Sequence, residues 1–284
     1  SIREISNSTA ARHVGGSSDN TVATFTTTGS TGSDSINSSL VVSTLAGTHT
    51  LASGSYSTVG SAVGAGSLTI DFGTWSTTSS TNDTFTANSN SSITIDTTAS
   101  TSLTQLRDSI NNATDNAEAT ILYNGTGYVL VLKGNSGASN ELRVTPSDSS
   151  STTLTNNFSY TASKKNLSLT NDGVDASFTV DGISMTRSSN TITDLFKGYS
   201  LELQSTNSSA IKISSSQNLS TIEGLLNDFV DSYNRIYAGI STLSMAGAIG
   251  EDSGPLSGDS LARKIQRDLR NYSSESIVGL SLIH

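Results

Sequence analysis

The sequence contains no cysteine, few basic residues and no long apolar run, and each absence excludes a class of protein. Without thiols the chain has neither a disulfide framework nor a thiolate metal site. Its 15 Lys and Arg against 24 Asp and Glu leave a net charge of −9, and the basic residues nowhere cluster beyond the pair Lys164 and Lys165. This disfavours nucleic acid and anionic membrane surfaces, which both select a basic stripe. No apolar run approaches the roughly 20 residues of a membrane helix, so membrane insertion is not expected.

Serine and threonine fill the positions that charged and apolar residues leave. Hydrophobic residues make up 33% and charged residues 14% of the 284 positions. A disordered chain combines low hydrophobicity with high charge, and the charge is missing here. Short apolar alternations recur between Gly, Asn and Ser clusters, which is typical of a secreted or surface β-protein. Because the chain opens at Ser1 and ends on an apolar segment, we expect a trimmed fragment of a longer protein.

Period-two alternation of apolar residues predicts half-buried strands in the first half of the chain. The expected strands cover residues 22–26, 39–45, 67–72 and 92–97. One helix follows, because Ser102 can cap it and Leu103, Leu106 and Ile110 form one apolar stripe. Alternating residues on both sides of the loop 124–127, which begins Asn-Gly, then predict a β-hairpin.

A second β block follows the hydroxylic stretch 147–155, which predicts a domain boundary or a long exposed loop. Alternating residues flank the turn Asp181-Gly182 and predict another hairpin. The segment 201–203 is expected to pair with 211–213, and residues 192–198 suggest a helical turn that ends at a glycine.

From residue 219 the pattern becomes helical. Apolar residues from Leu219 to Leu243 are spaced alternately three and four apart, which is a 3.5-residue seam, and Ser220 with Glu223 forms a capping-box pattern. We expect one helix over about 221–243 and a second, antiparallel helix with its apolar face around Leu261. The seam is wide enough to need a further partner, for which terminal segments outside this chain are the candidates.

Catalytic and metal-binding motifs are absent from the sequence, so no catalytic, cofactor or metal residue is predicted and an enzyme is not expected. We expect His13, His49 and His284 to be solvated surface residues. Asp228 and Asp231 could be read as calcium or acid–base groups, although a solvated helix face is favoured and the EF-hand spacing is missing. The candidates for contact with a partner or a second copy are Asp228, Asp231, Asn234, Arg235, Asp259 and Arg263.

Three segments together resemble the flagellar hook-associated protein 2 family. The first is FVDSYN at 229–234, followed by GPLSGDS at 254–260. The second is ASFTVDGI at 176–183, followed by TRSSNTITD at 186–194. The third is SLTQLRDSIN at 102–111, followed by NGTGYVLVL at 124–132. All three stand in the order of the family and extend over most of the chain.

The resemblance implies an α+β, mainly β fold with two antiparallel β domains, one nested within the other, and a coiled-coil-like helical hairpin as a leg. The expected leg is residues 1–12 and 217–284, the inner β domain is 13–36 and 147–216, and the outer β domain, with one helix and a hairpin, is 37–146. The resemblance implies no cofactor.

The function that the resemblance implies is a secreted cap at the distal tip of the bacterial flagellar filament, where it promotes insertion of flagellin. The expected partners are flagellin, other copies in a ring of about four to six, and an export chaperone at a C-terminal segment outside this chain. Export through the flagellar type III channel is implied as well.

Two other functions remain open on composition alone. A surface adhesin that binds host glycans or mucin would use the β domains and would not need the helical pair. A polysaccharide-active enzyme would need two carboxylates about 5–10 Å apart in a cleft, and no pairing in the sequence indicates them.

Overall fold

The protein is mainly β, as its alternating pattern predicts. The structure, a computed structural model, describes residues 13–28, 34–76, 83–149, 152–217, 219–247 and 252–274. The chain divides into two compact units, one of residues 13–216 and one that contains residues 217–284 and 1–12. The predicted capping box at Ser220 and the predicted surface position of His284 lie outside the side chains that the structure describes.

The strands are β1 (His13–Ser17), β2 (Ala23–Thr27), β3 (Asn37–Thr44), β4 (Thr48–Ala52), β5 (Gly66–Trp75), β6 (Phe85–Ala87), β7 (Ile93–Thr97), β8 (Ala117–Tyr123), β9 (Tyr128–Ser136), β10 (Glu141–Asp148), β11 (Ser168–Asn171), β12 (Ala176–Val180), β13 (Ile183–Arg187), β14 (Thr191–Ile192), β15 (Tyr199–Leu203) and β16 (Ile211–Gln217). The helices are α1 (Leu103–Ala113), α2 (Thr153–Phe158), α3 (Leu219–Ser244) and α4 (Ser260–Ser274).

Within the described residues of 13–217 the strands form four sheets. One has the order β1-β16-β3-β12-β13, and a second has the order β14-β15-β2. The third has the order β11-β4-β9-β8. In the fourth, the long strand β5 pairs with β10 along one edge and with β7 and β6 along the other, all antiparallel.

The first hydrophobic core is built around α1 and the sheets that contain β5 and β9. It draws its buried side chains from between Leu51 and Leu167. The predicted stripe of α1 is confirmed, because Leu103, Leu106 and Ile110 are all buried. Ser102 forms the predicted N-cap and completes a capping box with Gln105, in which each side chain bonds the other's backbone N–H.

The predicted hairpin after α1 is also confirmed. Strands β8 and β9 pair antiparallel from Ala117 to Tyr123, and Asn124 organises the loop between them. Its Oδ1 accepts hydrogen bonds from Thr126 N at 3.0 Å and from Gly127 N at 2.9 Å. An Asn side chain that bonds the backbone two and three residues ahead stabilises such a turn.

The second core uses residues from both sides of the first in the sequence. Its buried side chains come from residues 22–42 and 176–213, and Phe178 and Val180 belong to it. The predicted hairpin of β12 and β13 is confirmed, with Asp181 at φ 49° and Gly182 at φ 80°. Positive φ at both central residues is the geometry of a type I′ turn, which suits two twisted antiparallel strands.

Two segments differ from the sequence-based expectation in the core that they join. Strand β3, expected in the outer domain, pairs with β12 and β16, and its Leu40 and Val42 lie in the second core. The hydroxylic stretch 147–155, expected as a domain boundary or a long exposed loop, contains the end of β10 and the start of α2, whose Leu154 and Phe158 are buried in the first core. Because these two residues are four apart on a helix, they share one face.

The predicted pairing of segment 201–203 with 211–213 is wrong. Strand β15 instead pairs with β2 and β14, whereas β16 pairs with β3 in another sheet. The connection between β15 and β16 crosses between the sheets, and Asn207 anchors it by accepting a hydrogen bond from Val42 N at 2.6 Å. The helical turn suggested at 192–198 is also absent, because Ile192 belongs to β14.

Two chain segments connect the two cores, and they are hydrogen-bonded to each other. Gly47 N donates to Val174 O at 2.8 Å, and Val174 N donates to Gly47 O at 3.3 Å. The side chain of Asn190 bonds both backbone groups of Ala46, at 2.8 and 3.0 Å. The connection between the cores is therefore a short two-stranded ribbon held by a side-chain clamp, and it will be called the double linker.

Helices α3 and α4 are confirmed as elements and contact each other. Tyr233 donates from its hydroxyl to Leu269 O at 3.1 Å, and Gln266 donates to Ser244 Oγ at 3.1 Å. The later residue of α3, Ser244, contacts the earlier residue of α4, Gln266, whereas Tyr233 contacts Leu269. The two helices therefore run antiparallel. None of the described helices is long and apolar enough to cross a membrane.

His49 is buried, which contradicts its expected surface position. Its side chain is 1% exposed, its Nδ1 accepts a hydrogen bond from Leu142 N at 3.2 Å, and its ring lies 5.4 Å from that of Tyr160. Burial, together with the nearby positive charge of Lys165, lowers the pKa of His49 from 6.5 to about 4. The folded protein therefore keeps this imidazole neutral where an unfolded chain would protonate it.

The free energy of unfolding should consequently rise with pH between about 4 and 6.5, and this increase should be complete above pH 6.5. In that window the unfolded state binds a proton that the folded state does not, which is worth about 3 kcal/mol over the full range. Urea unfolding of the wild type and of His49→Gln at several pH values measures this effect. We expect a flatter dependence in the variant, and equal slopes for both proteins would contradict it.

A single core substitution should test the role of α1. Leu106 is fully buried, so Leu106→Ala should lower the free energy of unfolding by about 2–5 kcal/mol. Leu122 on β8 is 53% exposed, so the control Leu122→Ala should change it by less than about 0.5 kcal/mol. Chemical denaturation followed by far-UV circular dichroism gives both values. Equal losses in the two variants would contradict the assignment of α1 to the core.

Candidate interaction surfaces

Four of the six predicted contact residues lie together on α3. Asp228, Asp231, Asn234 and Arg235 line one shallow depression and are all exposed. Successive residues of an α-helix are about 100° apart, so these four occupy one side of the helix. The structure therefore brings two carboxylates, an amide and a guanidinium into one polar surface, which will be called the polar face of α3.

The other two predicted residues have a local role at the start of α4. Asp259 Oδ1 accepts hydrogen bonds from Leu261 N at 2.6 Å and Ala262 N at 3.0 Å, as a helix N-cap does. Arg263 donates to Gly258 O at 2.6 Å. Both residues remain exposed, so contact with a partner stays a prediction for them.

A line of apolar side chains is exposed on the side of α3 opposite its polar face. Phe229 is 46%, Ile236 52% and Leu243 42% exposed, and their spacing of seven residues places them nearly above one another. Helix α4 contacts the adjacent side of α3 through Tyr233 and Tyr237. The exposed line is thus left uncovered within the described part of the chain, and it will be called the apolar line of α3.

The sequence pattern missed a cluster of ionisable residues beside the first core, in which three members are buried and Lys165 is 40% exposed. Asp83, Glu141, Tyr160 and Lys165 line one depression together with Trp75. Asp83 is 7%, Glu141 9% and Tyr160 3% exposed. Because these residues are far apart in the sequence and belong to different elements, no spacing pattern could have brought them together.

The electrostatics of this cluster follow from its burial. Burial raises the pKa of Glu141, against the hydrogen bond of 2.5 Å that Trp75 N donates to its Oε2. Burial first, and the carboxylates of Asp172, Glu141 and Asp83 next, raise the pKa of Tyr160 to about 12. Among the residues that the structure describes, no group of three or more His, Cys, Asp or Glu is placed to hold a metal ion.

Comparison with known proteins identifies relatives over both halves of the chain. Residues 173–280 match the family model "Flagellar hook-associated protein 2 C-terminus". The flagellar hook-associated protein 2 of Salmonella typhimurium is 29% identical over 183 residues, which are 62% of this chain and 39% of that protein. The protein of the same name from Escherichia coli K12 is 29% identical over 195 residues, 65% of this chain and 42% of its own. The chain therefore spans about two fifths of the curated relatives that it matches.

The fold comparison extends the likeness to nearly the whole chain. The crystal structure of the D1-D2-D3 domains of the flagellar cap protein FliD from Escherichia coli matches with a TM-score of 0.68 and 26% identity, over 96% of this chain and 72% of that chain. The D2-D3 domains of the same protein match with a TM-score of 0.59 and 25% identity, over 72% and 99%. The resemblance predicted from the three sequence segments is thus confirmed: residues 173–280 match the C-terminal model of flagellar hook-associated protein 2, and nearly the whole chain is similar in fold to a flagellar cap protein.

Proposed function

We propose that this chain is part of a cap at the distal end of a bacterial flagellar filament, where it promotes the insertion and polymerisation of exported flagellin. Its role is structural and does not involve catalysis. The observation that carries the proposal is the apolar line of α3, in a chain whose relatives include a flagellar cap protein. An assembly protein requires an exposed surface that a partner can cover.

Three domains serve this function. We infer that residues 13–45 and 174–216 form an inner β domain and that residues 46–173 form an outer β domain inserted into it. The two hydrophobic cores and the double linker at Gly47 and Val174 support this division. The boundaries predicted from the sequence, 36/37 and 146/147, thereby move to 45/46 and 173/174, because β3 contributes to the second core and α2 to the first. The helical leg is residues 217–284, with residues 1–12.

The leg acts through the apolar line of α3. Three large apolar side chains stand in one row, and each is already about half covered, so covering the remainder contributes about 0.7–1.5 kcal/mol for each. Terminal segments of the full-length protein cover part of the line, and filament subunits complete the contact. The polar face of α3 lies on the other side of the helix and contacts a neighbouring copy or flagellin.

The β domains hold the copies together. Their outward faces are rich in Ser and Thr, so lateral contacts between copies are polar and individually weak, and assembly depends on concentration. We infer a ring of about four to six copies at the filament tip, the number that the family resemblance implies. The protein reaches the tip by export through the flagellar channel, and a chaperone holds a C-terminal segment before export.

Complementation tests the apolar line. A full-length gene that carries Phe229→Ser and Ile236→Ser is expressed in a bacterium without its own cap gene. The two changes remove roughly 1.5–3 kcal/mol of contact energy from each copy, so we expect few filaments and unpolymerised flagellin in the medium. The control is Leu122→Ser, which replaces an equally exposed apolar residue of β8 and should restore filaments. Normal filaments from the double variant would contradict the role of the line.

The polar face of α3 is tested separately. Asp228→Lys with Asp231→Lys reverses two exposed charges, so the melting temperature should change little while filament growth slows. Glu118→Lys on β8 is the matched control, since it reverses one exposed carboxylate away from α3. Filament length measured by electron microscopy gives the result. Wild-type lengths in the double variant would exclude this face as a partner contact.

A further inference from the structure

Lys165 and Asp83 meet in the depression of the outer β domain, where the side chain of Lys165 is 40% exposed and that of Asp83 is buried. The Lys165 amine contacts Asp83 Oδ2 across 82 residues of sequence. Asp83 is 7% exposed, and its second oxygen, Oδ1, is buried without a hydrogen-bond partner in the described part of the chain. A buried carboxylate with one unsatisfied oxygen is costly, since charged groups incur the largest penalty when left unpaired.

Two aromatic rings enclose this contact. Lys165 Nζ lies 5.4 Å from the centre of the Trp75 ring and 5.3 Å from that of Tyr160, and the two rings meet edge to face at 5.6 Å. Ring faces attract a cation, so the two rings hold the Lys165 amine against the Asp83 carboxyl group. Transfer of one proton along this contact converts the ion pair into an amine and a carboxylic acid.

A second carboxyl group borders the same depression. Glu141 lies there with Asp83 and Lys165, and the Trp75 backbone N–H fixes its Oε2. Burial raises the pKa of Glu141, which favours its protonated form. A carboxyl group donates a proton as an acid and accepts one as a carboxylate.

We propose that Lys165 and Asp83 are joined by an intramolecular isopeptide bond whose formation Glu141 assists as a proton carrier. The neutral Nζ attacks the Asp83 carboxyl carbon, and a carbon–nitrogen bond forms. Glu141 takes a proton from the nitrogen and delivers one to the departing hydroxyl. The carbon–oxygen bond breaks and one water leaves into the open depression of about 390 Å³. The reaction is a condensation, so it needs no oxidant, reductant or cofactor.

The bond relieves the cost of the buried carboxylate. One oxygen departs as water, and the other becomes a neutral amide carbonyl, which costs less than a charged oxygen to leave unpaired. The amide joins the segment before β6 to the segment that follows α2. It therefore closes a covalent loop around most of the outer β domain, which restricts the unfolded chain.

Intact-mass spectrometry of the purified 284-residue chain tests the proposal. We expect a mass lower than that of the sequence by one water, and a tryptic digest in which a peptide containing Asp83 is joined to one containing Lys165. Lys165→Arg keeps the positive charge and should restore the full mass. A folded wild-type protein that retains the full mass after prolonged incubation would overturn the proposal.

The role of Glu141 needs a readout beyond stability. Glu141→Gln should fold, as shown by an unchanged circular dichroism spectrum, yet keep the full mass or lose water far more slowly. Glu118→Gln is the matched control, because Glu118 is exposed on β8, and it should lose water as the wild type does. If Glu141→Gln forms the bond at the wild-type rate, Glu141 is not the proton carrier.

Cyclisation at Asp181-Gly182 would also remove one water, so the site must be mapped. Hydroxylamine opens such a succinimide but leaves a side-chain amide intact. A water loss that survives hydroxylamine and disappears in Asp83→Asn with Lys165→Arg supports the cross-link. A water loss that hydroxylamine reverses, or that persists in this double variant, would refute it.

Discussion

Many strands of residues 13–217 bury one face and leave the other partly or fully open to water, in a sequence whose hydrophobic residues make up only 33%. Strand β12 shows the arrangement, with Ala176, Phe178 and Val180 buried and the residues between them half-buried. On the outward faces hydroxyls bond one another across strands, as Thr69 and Thr94 do at 3.1 Å. A limited supply of apolar residues thus produces two small cores instead of one large one.

Helices α3 and α4 differ from the sheets, because several of their large apolar side chains remain exposed after the two helices have packed together. Helix α4 contacts α3 through two tyrosines and leaves Phe229, Ile236 and Leu243 exposed. The strict seven-residue repeat of these side chains suits a long, continuous helical contact. The described sheets therefore pack their large apolar side chains mostly into the two cores, whereas α3 and α4 leave several of theirs exposed.

Local signals explain which elements the sequence predicted. Ser102 with Gln105, and Asn124 followed by Gly125, act within a few residues, so α1 and the β8–β9 hairpin could be read directly. Helix α2 was missed because only two of its six residues are large and apolar. The neighbours of β15 and β16 were misjudged, since their partners β2 and β3 lie more than 150 positions away in the chain.

The same limit applies to the candidate sites. Residues on one helix, such as Asp228 and Asp231, were predictable as neighbours from the helical repeat alone. His49, Glu141 and Lys165 meet only after several strands have paired, so a histidine expected at the surface proved to be packed against Tyr160. The spacing of residues along the sequence cannot predict a group of polar side chains that come from elements far apart in the chain.

The double linker has a mechanical consequence. With a single covalent connection, one core could rotate about the backbone bonds of that connection. With two crossings that are hydrogen-bonded at Gly47 and Val174, such a rotation must distort or break those hydrogen bonds. The Asn190 clamp on Ala46 adds further resistance. Two bonded crossings therefore resist relative rotation of the two cores more strongly than one crossing would.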